Sequence, residues 1–100
     1  MNVEMKKNED GTILTASIEG SIDTVTAPKL EEALKDQYEG IKELILDFTK
    51  VDYVSSAGLR VIMGADQQME GSGKMILKNV NEDVREVFEM TGFDELLNFE

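Results

Sequence analysis

The chain has no cysteine, no histidine and no tryptophan. Without cysteine it can build neither a disulfide framework nor a thiolate metal site. Without histidine it lacks the commonest general base and metal ligand, and with both missing the usual nucleophile triads cannot form. No apolar run is long enough to span a bilayer, and the first ten residues, MNVEMKKNED, lack the apolar core of a signal peptide. The phosphate-cradling patterns G-x-x-x-x-G-K-[ST] and G-x-G-x-x-G are absent. Gly71-Ser72-Gly73 follows a helical stretch instead of preceding one, so it reads as a turn. Carboxylates are plentiful, but none forms a spaced pair that stands out. These absences point to a cytoplasmic protein that is not an enzyme, with no catalytic residues, no metal site and no cofactor.

Charge of one sign is also scarce. Ten Lys and Arg residues face 21 Asp and Glu residues, a net charge of −11. Nucleic acid and anionic membranes need basic patches, so neither is an expected partner, and direct membrane insertion is not expected. An acidic chain can be drawn to a basic protein surface, or its charge can simply keep it soluble.

What is present suits one domain of 100 residues with an ordinary core, 41% hydrophobic. Val3 and Met5 alternate with polar neighbours as in a short strand. Asn8-Glu9-Asp10-Gly11 is hairpin-turn chemistry, and Thr12 to Glu19 reads as the return strand. Its Leu14, Ala16 and Ile18 share one face; Ile13, Thr15 and Ser17 form a mixed second face. Gly20 to Thr26 reads as a loop. Thr26 can cap a helix that carries Ala27, Leu30, Ala33, Leu34 and Tyr38 on one stripe and stops at Gly40.

Leu44 to Phe48 is apolar on both faces apart from Asp47, the pattern of a central strand covered on both sides. A second helix runs from about Ser56 to Met69, with Leu59, Ile62, Met63 and Met69 inward. Met75-Ile76-Leu77 is a short buried strand. Asn81 caps a third helix, whose Glu82 and Asp83 suit its positive end and whose Val84, Val87 and Phe88 form the apolar stripe. Gly92 ends it, and Leu96 to Phe99 reads as a last strand. The order β-β-α-β-α-β-α-(β) predicts an α/β fold: a mixed sheet of four to five strands, parallel after the first hairpin, with helices packed on it.

In such sheets the sites lie in loops at the carboxyl ends of the parallel strands. Here those loops hold Asp23 and Thr24, then Tyr53, Ser55 and Ser56. Ser55 reads as a helix cap. Ser56 is either an idle first-turn residue or part of a helix start where a negative group such as a phosphate is stabilised. Gly58 either packs near the sheet or leaves room for a partner's backbone. Asp23 and Asp47 read as cap or turn acceptors.

VDYVSSAGLRVIMGA, preceded by LILDF and by GSIDTVTAPKL, resembles the STAS domain, and more narrowly the single-domain bacterial anti-sigma factor antagonists. The resemblance runs from Gly20 to the helix before Gly92. It implies a mixed sheet with packed helices and a binding role in transcription regulation. The partner would be an anti-sigma factor that is itself a serine kinase; binding it frees a sigma factor. The kinase ends this partner switching by phosphorylating one serine, and a serine phosphatase reverses it.

Aligned on Gly58 and Leu59, the phosphorylated serine falls on Ser56. Ser55 stands where the family commonly has Asp, and Ala57 where it has Ser or Thr. Arg60, one turn on, could reach the phosphate. The partner surface expected from the resemblance and the loops is Asp23, Thr24, Ser55, Ser56, Ala57, Gly58 and Arg60, flanked by the exposed edges of the first two helices. Many relatives continue beyond the position of Glu100 into another helix. The alternative reading is a STAS regulatory subunit of a membrane transport complex, and a nucleotide- or cofactor-sensing domain ranks last.

Overall fold

A computed structural model describes residues 1–100. Five strands form one sheet in the order β1 (Asn2–Lys7), β2 (Ile13–Ile22), β3 (Glu43–Val54), β4 (Lys74–Lys78) and β5 (Asn98–Phe99). β1 and β2 are an antiparallel hairpin, and every later pairing is parallel. Helices α1 (Ala27–Leu34), α2 (Ser56–Met69) and α3 (Glu82–Thr91) make the crossovers, and a short 3-10 turn, Phe93–Glu95, precedes β5. This is the expected α/β architecture with a mixed sheet.

The strand order follows the chain without reversal. Right-handed crossovers then place every helix on the same face of the sheet. One continuous core results, in which Leu14, Ala16 and Ile18 of β2 and Leu44, Leu46 and Phe48 of β3 meet Leu30, Leu59, Ile62 and Phe88 of the helices. Each large side chain so buried contributes ~1.5–3 kcal/mol before entropy is counted. The expectation that β3 is covered on both sides is therefore corrected. Its other face carries half-buried Ile45 and Asp47, and Ile76 beside them lies outside the continuous core. Ion pairs between strands line that face, Lys74–Glu43 at 3.5 Å and Lys50–Glu19 at 3.8 Å, and Lys78 meets Glu100, just past β5, at 4.0 Å.

β3 is also longer than expected, because two irregularities hide its second half. Its buried residues are Leu44, Leu46 and Phe48, then Val51 and Val54. The spacing changes from two to three where the register with β2 shifts, between Ser17 and Glu19 and between Gly20 and Ser21. Each shift adds one residue to β3, so Val51 and Val54 still face the core. For the same reason Gly20 to Ile22 is strand, not loop.

Two smaller corrections concern the ends of elements. α1 stops at Leu34, and Gly40, with φ +82°, belongs to a separate turn into β3. Half-buried Tyr38 and fully buried Ile41 direct that stretch towards the core. β5 is reduced to Asn98–Phe99, while Phe99 still packs edge-on against Phe88 at 5.3 Å. Gly92, in the left-handed region at φ +78°, ends α3 as expected.

Candidate functional site

The loops after β2 and β3 leave from adjacent strand ends, since Ile22 pairs with Val54 and the Ser55 N–H donates to the Ile22 carbonyl at 2.9 Å. The β2 loop is held by its own side chains. The Asp23 carboxylate accepts from the N–H groups of Val25 and Thr26, both at 3.0 Å. Those bonds favour the charged form, so the Asp23 pKa lies below the usual carboxylate value, chiefly through the Thr26 N–H. Thr26 occupies the cap position of α1 but makes no cap bond. Its hydroxyl instead donates to the Ser21 carbonyl at 2.7 Å and accepts from the Asp23 N–H at 2.8 Å. It closes the loop, and the capping role expected of it is withdrawn.

Ser55 has extended backbone and accepts from the Gly58 N–H at 3.3 Å, so it caps α2 as expected. The N–H groups of Ser56 and Ala57 find no partner within the chain. No acidic residue occupies the first turn of α2. Ser56 is exposed at the first helical position and Arg60 is exposed one turn on. Anionic groups are favoured at such a start by the free N–H groups and the positive end of the helix dipole.

Gly58 is buried. A Cβ there would lie 2.6 Å from the Ile22 carbonyl oxygen and 2.8 Å from its Cγ2. Its missing side chain lets α2 sit close to the strand ends. That is the packing reading, and it holds Ser56 at a fixed height above the sheet. Asp47 accepts from Thr49 at 2.6 Å and from the Asn79 side chain at 3.1 Å, so it is a turn acceptor.

Of the expected surface, Thr24, Ser56 and Arg60 are exposed, Asp23, Ser55 and Ala57 are half-buried, and Gly58 is buried. Two apolar side chains at the same end were not among the expected contacts. Val25 is 72% exposed beside Thr24, and Tyr53 is 53% exposed two residues before Ser55. Tyr53 was visible in the sequence as an aromatic residue next to the serines; Val25 gave no local signal. A groove of about 540 Å³ runs between α1 and α2, lined by Glu31, Lys35, Tyr38, Val61, Gly64 and Gln68. No helix is long and apolar enough to cross a membrane, and no three carboxylates converge as metal ligands.

A family model described as STAS domain matches residues 2–100. The anti-sigma-B factor antagonist of Listeria monocytogenes is 33% identical, across 97% of this chain and 88% of its own. An anti-sigma factor antagonist from Mycobacterium paratuberculosis, at 21% identity, superposes with a TM-score of 0.87 over 98% of this chain and 83% of that one. The Bacillus cell fate determinant SpoIIAA in its phosphorylated form superposes with a TM-score of 0.74, at 16% identity, over 99% of this chain and 91% of that one.

Proposed function

The chain belongs to the STAS domain family, and on that premise we propose that it is an anti-sigma factor antagonist switched at Ser56. It docks on an anti-sigma factor of the serine-kinase type and releases the sigma factor held there. Phosphorylation of Ser56 by that kinase ends the contact, and a serine phosphatase restores it. The protein is a regulatory binding domain, not an enzyme.

The observation that carries this reading is the start of α2. An exposed hydroxyl stands on a helix start whose first turn carries no acid and whose first two N–H groups are free. A phosphate there adds about −1.5 to −2 charges next to compatible donors. The fold need not yield to it. A partner seated on Val25, Tyr53 and the rim of Ser56 would have to desolvate it. A loss of ~1.4 kcal/mol already weakens binding tenfold. SpoIIAA, a protein of the same fold, has a phosphorylated form, which supports the same idea.

The test is capture of partners from native lysate, followed by intact-mass analysis of the chain after ATP is added. A kinase-type anti-sigma factor should be recovered, and one phosphate should map to Ser56. Ser56→Ala should stay unmodified and keep binding, Ser55→Ala should still be modified, and Ser56→Glu should lose binding at least tenfold. Equal binding by Ser56→Glu and the unsubstituted protein would end the switch reading. Recovery of a permease or its ATPase instead would make the chain a subunit of a transport complex.

A further inference from the structure

β1 forms one edge of the sheet and pairs with β2 on one side only. The Asn8 N–H donates to the Ile13 carbonyl at 3.0 Å, one step beyond the Lys7–Leu14 pair. Hydrogen-bonded pairs alternate along an antiparallel ladder. Asn2, Glu4 and Lys6 therefore turn their backbone groups towards β2, and Val3, Met5 and Lys7 turn theirs outward. The side chains alternate too. Val3 and Met5 are half-buried against the core, while Glu4 and Lys6 are exposed on the face without helices.

We infer that this edge pairs antiparallel with β1 of a second copy, joining two sheets into one of ten strands. A two-fold axis perpendicular to the sheet keeps both helix layers on the same side, so residues of like parity must face each other. Charge then selects the register. With Met5 opposite Met5, Glu4 of each copy faces Lys6 of the other, twice. A shift by one position of the axis in either direction sets Glu4 against Glu4 or Lys6 against Lys6, which is destabilising.

The backbone agrees with the charge. In this register the outward groups of Met5 meet each other and those of Val3 meet those of Lys7, as hydrogen-bonded pairs. The Glu4–Lys6 pairs fall at the positions without backbone bonds, where side chains approach most closely. The aliphatic stem of Lys7 covers Val3.

Lysine on an edge strand commonly discourages pairing. Here each Lys6 meets a carboxylate. β1 also carries two lysines and one carboxylate in a chain of net charge −11, so the edge itself adds no negative charge to the approach of two copies.

Pairing β1 antiparallel points the β3 ends of the two copies in opposite directions. Both Ser56 sites stay open, so the dimer stands or falls independently of the antagonist reading. The contact is small, below the ~1,200 Å² of stable interfaces, and the dimer forms at high protein concentration, on the order of 0.1–1 mM.

Sedimentation equilibrium of the full chain tests this. The average mass should climb from 11.2 kDa towards twice that value as concentration approaches about 1 mM. Glu4→Lys and Lys6→Glu should each remain monomeric, with thermal melting confirming that both are folded. Mixed in equal amounts, the two folded variants should dimerise again, because each then faces opposite charge. A monomeric unsubstituted chain, single variants that dimerise like it, or a mixture that stays monomeric would each overturn the inference.

Discussion

Two helices start at the same end of the sheet and are finished differently. α3 is closed by its own residues. Asn81 accepts from the Val84 N–H at 2.8 Å and donates its amide to the Val51 carbonyl at 3.1 Å. Glu82 and Asp83 fill its first turn, answering a dipole end worth roughly half a positive charge. α2 has a longer cap contact, 3.3 Å from Ser55, and no acid in its first turn. The chain has 21 acidic residues and places none there. The α3 start is answered by its own acids, and the α2 start is left open. A phosphate delivered to Ser56 would give α2 what α3 already has.

Gly58 gives the largest way to break that comparison. Gly58→Ala should gain up to ~1 kcal/mol in helix propensity. Its Cβ would nevertheless sit 2.6 Å from the Ile22 carbonyl oxygen, a backbone atom that cannot swing away. Overpacking of this kind costs ~1–3 kcal/mol, and the clash is expected to win. Calorimetry should show a melting temperature lower by several degrees, about 4–8 °C per net kcal/mol. Unchanged melting would mean that α2 is not seated tightly and that Ser56 is not held in place.

The next effect is the difference between the caps. Asn81→Ala loses the cap and the bond to Val51 and should cost ~1–2 kcal/mol. Ser55→Ala loses one long contact and should cost ~0.5 kcal/mol, at the low end for caps. Urea unfolding resolves the two. Equal costs would remove the distinction between a closed and an open start.

Those caps also show what sequence could and could not reveal. α2 was legible because its signals are local: Ser55 before it, Leu59, Ile62 and Met69 along it, Gly71 after it. Asn81 and Gly92 marked α3 in the same way. The second half of β3 was not legible, because the shifts in register change the spacing of Val51 and Val54 from two to three. Ile45, between Leu44 and Leu46, suggested a strand covered twice, but monotonic strand order puts all three helices on one side. The site was half legible. Ser55 and Ser56 followed from cap chemistry and from the family resemblance. The inward turn of Thr26 is made locally, with Ser21 and Asp23, but a threonine just before a helix reads equally well as its cap, and the exposure of Val25 has no local pattern.

The pH response sharpens the contrast from the other end of α2. Asp66 lies late in that helix, where the dipole is negative, and its pKa is raised by burial and then by Glu70. A raised carboxylate pKa means the ionised form costs stability above it, and the cost is relieved as pH falls through it. Asp23 and Asp47 have lowered pKa values, from the Thr26 N–H and the Thr49 hydroxyl respectively. Their contribution is present above the unfolded value of about 4 and is lost as pH falls through their folded values below it. Stability should therefore rise slightly as pH falls from neutral towards the ordinary carboxylate value of about 4, and drop as pH falls further. Asp66→Asn should remove the rise and leave the fall. A rise that survives the substitution would assign it to the chain's net charge instead.

The smallest effect separates the two helix starts most directly. Ser56→Glu puts a carboxylate at the start of α2, and Glu82→Gln removes one from the start of α3. The first should stabilise and the second destabilise, each by ~0.3–1 kcal/mol at low salt. Both changes should shrink together in 1 M salt, where charges are screened beyond ~3 Å. The sign at Ser56 matters more than its size. A stabilising charge that abolishes partner binding shows that negative charge acts on the interface and not through unfolding. A destabilising one would mean that the α2 start is already satisfied, and the contrast with α3 would fail.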